Sequence, residues 1–125
     1  LQEASLSFLD LDAIAISKGP GSYTGLRIGV SSAKGLCFSL DLPLISVPTL
    51  ESMAHQVNPD DGEVVIPVLD ARRMEVYSCV FDNQYKEIRE TRAEIIDETS
   101  FSDYASFTKV HIIGSGAEKC KQVLH

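Results

Sequence analysis

The chain has 125 residues, 44% of them hydrophobic and 23% charged, a balance that fits one soluble globular domain and excludes a disordered segment. Eighteen acidic residues against eleven Lys and Arg give a net charge of −7, a field that repels phosphate polymers and argues against autonomous nucleic-acid binding. No apolar run approaches the roughly 18 residues of a membrane span, and no basic segment followed by an apolar one opens the chain, so neither insertion nor export is expected.

The first residue is Leu1, and Leu1 to Asp10 reads as the tail of an element already under way, so the chain is expected to be a fragment. Leu11 to Ser17, with Ile at alternate positions, predicts a buried strand that runs into the turn Lys18-Gly19-Pro20-Gly21. From Tyr23 to Leu40 the apolar residues Leu26, Val30, Ala33, Cys37 and Leu40 recur every three or four positions, the period of a helix with one buried stripe. Asp41 and Pro43 stop it. Leu44 to Val47 predicts a second strand, and Thr49 the N-cap of a helix running through Met53 and Ala54 toward Asn58-Pro59. Glu63 to Asp70 and Met74 to Asp82, rich in Val, Ile, Tyr and Phe, predict an antiparallel pair, with a third strand over Glu87 to Arg92. Thr99 to Phe107 is expected to be a short helix and Val110 to Ile113 a strand; Gly114-Ser115-Gly116 then turns into a last helix that the chain end cuts at His125. Alternating strands and helices point to a layered α/β fold. Cys37, Cys79 and Cys120 are odd in number and widely spaced, which disfavours a disulfide framework or a zinc site and suits a reducing cytoplasm.

The stretch Gly19-Pro20-Gly21-Ser22-Tyr23-Thr24-Gly25 is a glycine-rich turn between strand and helix. Unpaired N–H groups at such a helix start attract anions, so a phosphate site is one reading, and glycines serving only backbone freedom and close packing are the other. A Walker A loop needs Lys followed by Ser or Thr where Leu26-Arg27 stands, and a dinucleotide fingerprint needs different glycine spacing and an acid after Val47. The helix that follows is unusual in breadth. Gly25, Gly29, Ser32 and Ser39 lie beside the buried stripe, and with Ile28 and Leu36 the small and apolar surface exceeds the arc of about 100° that one core needs. Tyr23, Gly25, Arg27, Ile28, Gly29, Ser32, Gly35 and Leu36 are therefore expected to form a partner interface, with Lys34 and Phe38 at its rim. A helix of the same protein outside this chain is the alternative occupant.

Asp12 to Ser17, Gly19 to Val30 and Ala33 to Leu36 together resemble the signature of the bacterial TsaB family, also called YeaZ. Leu69 to Tyr77 is similar to that family's central strand pair, and Ile113 to Ala117 to its later glycine turn. The resemblance implies an actin-like ATPase fold (ASKHA, ribonuclease H-like) from which the opening strands and closing helices are missing. Residues 1–58 would be the remainder of the first lobe and residues 59–125 the start of the second. It further implies a non-catalytic relative of TsaD. Such a scaffold acts with TsaD and the TsaE ATPase to place threonylcarbamoyl on the adenosine beside the anticodon of tRNAs reading A-starting codons. The complex would use ATP and threonylcarbamoyl-adenylate, touch tRNA only as a complex, and leave this chain without a cofactor of its own; alone, the chain would form a homodimer.

The family's older label, glycoprotease or peptidase, keeps an enzyme of the same superfamily as the alternative. TsaD-type sequences carry two metal-binding histidines four apart, and Thr49 and Met53 stand at those positions here. Neither replaces a neutral imidazole on zinc or iron. His55, His111 and His125 are isolated, so no metal site is expected. Ser22 sits in a stretch one residue longer than G-x-S-x-G and lacks a histidine partner, so no catalytic residue is assigned. Asp70, Arg72, Arg73 and Glu75 crowd one turn, as a solvated hairpin or a polar contact with a partner.

Overall fold

A computed structural model describes residues 2–124. The chain divides into two compact units, Leu1–Thr49 and Leu50–His125. In the first, two single-turn 3-10 segments, Gln2–Ala4 and Phe8–Asp10, precede strand β1 (Ile14–Ser17), helix α1 (Tyr23–Leu40) and strand β2 (Leu44–Val47). β1 and β2 pair in parallel from Ile14↔Leu44 to Ser17↔Val47, which makes the unit a β-α-β crossover. β1 starts at Ile14 rather than Leu11 because its partner begins at Leu44 and leaves the preceding residues unpaired. Ala33 and Cys37 are buried at the centre of the α1 stripe, with Leu26, Val30 and Leu40 partly buried along it. Asp41 ends α1 in left-handed backbone (φ +52°).

The second unit holds helix α2 (Thr49–Ala54) from Leu50 onward, strands β3 (Glu63–Asp70), β4 (Glu75–Phe81), β5 (Glu87–Ile95) and β6 (Lys109–Ile113), and helix α3 (Ala117–Val123). The sheet order is β5-β4-β3-β6, with β6 parallel to β3 and the other pairs antiparallel. β3 is buried on both faces, which explains its unbroken apolar sequence. One face packs Val64, Ile66, Val68, Val76 and Val80 with Ile96 and Cys120. The other packs Val65, Cys79 and Phe81 with Leu50 and Ala54. The β3–β4 ladder runs from Val65↔Phe81 to Asp70↔Val76 with a gap at Ile66 and Pro67, where the proline has no N–H to give.

The two units part at Thr49/Leu50, since Leu50 and Ala54 of α2 belong to the second unit's core. Two further expectations change. Thr49 is the first residue of α2 rather than its cap, and the helix closes at Ala54, well before Asn58. The helix expected over Thr99 to Phe107 is only a 3-10 turn at Ser102–Tyr104. There the Asp97 carboxylate accepts the Thr99 N–H (2.9 Å) and Ser100 Oγ accepts the Asp97 N–H (3.0 Å), local bonds that compete with a helical start.

Candidate functional site

The glycine turn is closed by bonds within its own unit. Gly19 has φ +105°, a conformation that favours glycine, and the Gly19–Pro20 peptide is cis. Its carbonyl accepts the Thr49 N–H (3.0 Å), while Lys18 N–H donates to Val47 O (2.9 Å) and the Ser17 and Thr49 hydroxyls share a hydrogen bond (2.6 Å). A Cβ on Gly19 would lie 3.1 Å from Leu26 Cδ1, so the first turn of α1 folds back over the loop. Ser22 is the N-cap, its Oγ taking the Gly25 N–H (3.3 Å). One of the N–H groups of the anion reading is therefore already engaged. Gly21, Ser22 and Thr24 face solvent, and Pro20 is half-buried.

Along α1 the predicted interface residues separate into two groups. Tyr23, Gly25, Arg27, Ile28, Ser32, Gly35 and Leu36 are exposed, as are Lys34 and Phe38. Gly29 turns the other way: it is half-buried, and a Cβ there would stand 3.3 Å from Ile16 Cδ1 of β1. Its small size serves the packing of α1 on its own sheet, so Gly29 leaves the exposed set. Ile28 retains 64% of its accessible surface and Phe38 91%. Tyr23 is exposed yet ordered by Arg27, whose Nη1 donates to the Tyr23 hydroxyl (2.8 Å) with the guanidinium 5.3 Å from the ring centroid. The i, i+4 spacing of Tyr23 and Arg27 is the sequence signal for that pairing. Ile45 on β2 is also exposed and escapes a reading of the sequence, since a strand of four residues shows no alternation to betray an outward isoleucine.

The cysteine thiols are withdrawn. Cys37, Cys79 and Cys120 are free and buried. Burial pushes the Cys79 thiol up to about 12 and raises Cys120 as well, which disfavours the nucleophilic thiolate. Met53 packs against the second unit's core, and its Cε lies where a Cβ on Gly114 would be. His55 stacks on Tyr85 (centroids 4.0 Å apart), and His111 Nε2 pairs with Glu63 (2.6 Å). His125 lies outside the described residues. Among the described residues no group of three His, Cys, Asp or Glu side chains is placed to hold a metal ion. Nor, among the described residues, is any helix long and apolar enough to cross a membrane.

A family model described as "TsaD: tRNA N6-adenosine threonylcarbamoyltransferase" matches residues 1–121. The chain is 45% identical over 86 residues to the tRNA threonylcarbamoyladenosine biosynthesis protein TsaB of Bacillus subtilis, covering 69% of this chain and 36% of that protein. The chain belongs to the TsaB/YeaZ family. The TsaB of Escherichia coli is 42% identical over 78 residues, 62% of this chain and 34% of its own length. The chain thus spans about a third of the length of these curated TsaB relatives. The solved structure of YeaZ from Pseudomonas aeruginosa superposes with a TM-score of 0.60 at 29% identity, covering 79% of this chain and 49% of that one. A further crystal structure, of an uncharacterized protein with similarity to peptidase YEAZ from Pseudomonas aeruginosa, matches with a TM-score of 0.63 over 98% of this chain and 68% of its own, and at 22% identity it shares the fold alone.

Proposed function

We propose that this chain is part of a scaffold subunit for tRNA threonylcarbamoylation, acting in the cytoplasm and holding a TsaD-type catalytic subunit through the exposed face of α1. The observation that carries the reading is that face itself, on the helix bearing the family signature: Ile28 and Leu36 stand exposed beside Gly25, Ser32 and Gly35. Small residues admit a second helix to close range, and the two aliphatic side chains supply the apolar area. Tyr23 is already oriented by Arg27, so a partner orders less on binding. In this reading the two compact units are remnants of an actin-like ATPase fold, chemistry and ATP belong to the partners, a TsaE-type ATPase joins the assembly, and the same face pairs two copies when the partner is absent.

The test places Asp at Ile28 and at Leu36 in the full-length protein and measures pairing with a TsaD-type subunit. Both side chains are exposed, so folding should change by no more than about 0.5 kcal/mol, whereas pairing should weaken at least about tenfold, as loss of an interface anchor does. Undiminished pairing removes α1 as the docking face. Replacing Gly29 is the wrong probe, since a larger side chain there meets Ile16 of the chain's own sheet. Calorimetry of the full-length protein with ATP and magnesium separates the scaffold from a superfamily enzyme, which would bind the nucleotide tightly.

A further inference from the structure

At the tip of the β3–β4 hairpin two consecutive residues, Arg72 (φ +73°) and Arg73 (φ +48°), hold left-handed backbone. That conformation is costly for any residue with a Cβ, and Asn or Gly adopts it at lower cost. Nothing in the described chain uses the two side chains in return. Both residues are exposed, and neither guanidinium has a hydrogen bond or ion pair with a described residue. The backbone beneath them is fixed from several sides. Arg72 N–H donates to Asp70 Oδ1 (2.7 Å), Ala71 N–H to Glu75 O (3.0 Å) and Glu75 N–H to Arg72 O (3.1 Å). Lys119 of α3 reaches across to Asp70 Oδ1 (2.6 Å) and Glu75 O (3.1 Å), and Asp70 N–H donates to Ser115 Oγ (3.1 Å). The Asp70 charge is thereby matched by Lys119, and Glu75 is the one acid of the turn left to oppose two arginines.

We propose that Arg72 and Arg73 form a phosphate-gripping point for the backbone of tRNA, engaged when the assembled complex holds its RNA; the inference rests on the function proposed above. Guanidinium forks bind phosphate oxygens in bidentate fashion, and a turn whose backbone is held in advance leaves only the side chains to be ordered on binding. An acidic protein surface is the competing class of partner. A protein that docks broadly on this chain must complement a body of charge −7, which makes its surface basic and repels the two arginines. An RNA positioned by other subunits meets only the projecting tip.

The experiment uses the full-length protein assembled with its TsaD-type partner and measures tRNA affinity as a function of salt. Two variants are compared with the wild type: R72E/R73E, and Arg72→Asn with Arg73→Gly, which removes both charges while giving the turn the residues its backbone favours. Both are expected to bind tRNA at least about tenfold more weakly at moderate salt, with the slope of log affinity against log salt shallower by about 1 to 2. The Asn-Gly variant should melt no lower than the wild type, so weaker binding cannot come from misfolding. Unchanged affinity and slope in both variants overturn the assignment. Loss of subunit pairing in the Asn-Gly variant also overturns it, by giving the tip to a protein partner. A wild-type protein that fails to pair with the TsaD-type subunit defeats the scaffold function itself, a result distinguishable from either.

Discussion

Arg89 and Glu94 of β5 meet at 2.6 Å with 11% and 19% of their side-chain surface exposed, and both hydrogen-bond the buried Ser78 hydroxyl of β4. Burial alone would raise the Glu94 carboxyl, but hydrogen bonds from Arg89 and Ser78 outweigh it and hold the group below its ordinary value. A depressed carboxylate contributes stability that is present above its unfolded pKa and disappears as pH falls through the folded one. E94Q should therefore cost about 1–3 kcal/mol at neutral pH, discounted for partial exposure, and the gap to the wild type should begin to narrow as pH falls below about 4, the ordinary glutamate range. Urea unfolding across pH checks this, and a gap constant with pH would assign the loss to packing. Gly114 is a harsher case: at φ +106° a Cβ would sit 2.4 Å from Val68 O and 2.2 Å from Met53 Cε. Backbone cannot yield as a flexible side chain can, so G114A should cost at least about 3 kcal/mol, read as a fall in urea midpoint.

Helix α1 shows what periodicity reveals and where it stops. Its bounds and its buried stripe follow from residues spaced three and four apart, because one face of a helix must meet a sheet. The side on which Gly29 lies does not follow, since small residues at a helix surface look alike whether they admit a foreign helix or the chain's own Ile16. β5 is only partly legible for a related reason: it is an edge strand in which charges replace alternation, and it runs to Ile95 because β4 continues to offer partners up to Glu75↔Ile95. Asp97 draws the next segment out of a helix through side-chain bonds that no periodicity records. The glycine turn is recognisable as a turn, whereas its closure by Thr49 depends on a residue 30 positions later in the chain. Gly35 offers a prediction at this scale. It is helical and exposed, and a methyl group added there would have no neighbour within 4 Å, so G35A should raise stability by about 0.5–1 kcal/mol. Gly35→Trp should leave the melting temperature near that of the wild type yet block close approach of a partner helix, detected by loss of the pair in size-exclusion chromatography.

At the scale of the whole chain, charge governs the tRNA contact proposed above. A body carrying −7 raises the cost of bringing phosphate near it, and the Debye length of about 8 Å at physiological salt confines any attraction from Arg72 and Arg73 to their immediate surroundings. A point contact of that kind adds affinity only after other subunits have supplied the counterion release that drives RNA binding. The chain by itself should therefore bind tRNA more weakly than about 10⁻⁴ M at physiological salt, the weak end of nonspecific association. Lowering the salt should strengthen the complex far more than the isolated chain, because lengthened screening extends the repulsion of the acidic body along with the attraction of the tip. Fluorescence anisotropy with labelled tRNA, titrated first with the chain and then with the assembled complex at two salt concentrations, measures both quantities. Saturable micromolar binding by the isolated chain would show an RNA-binding surface of its own and remove the proposed division of labour, in which this chain would help hold the enzyme and touch the nucleic acid at one place.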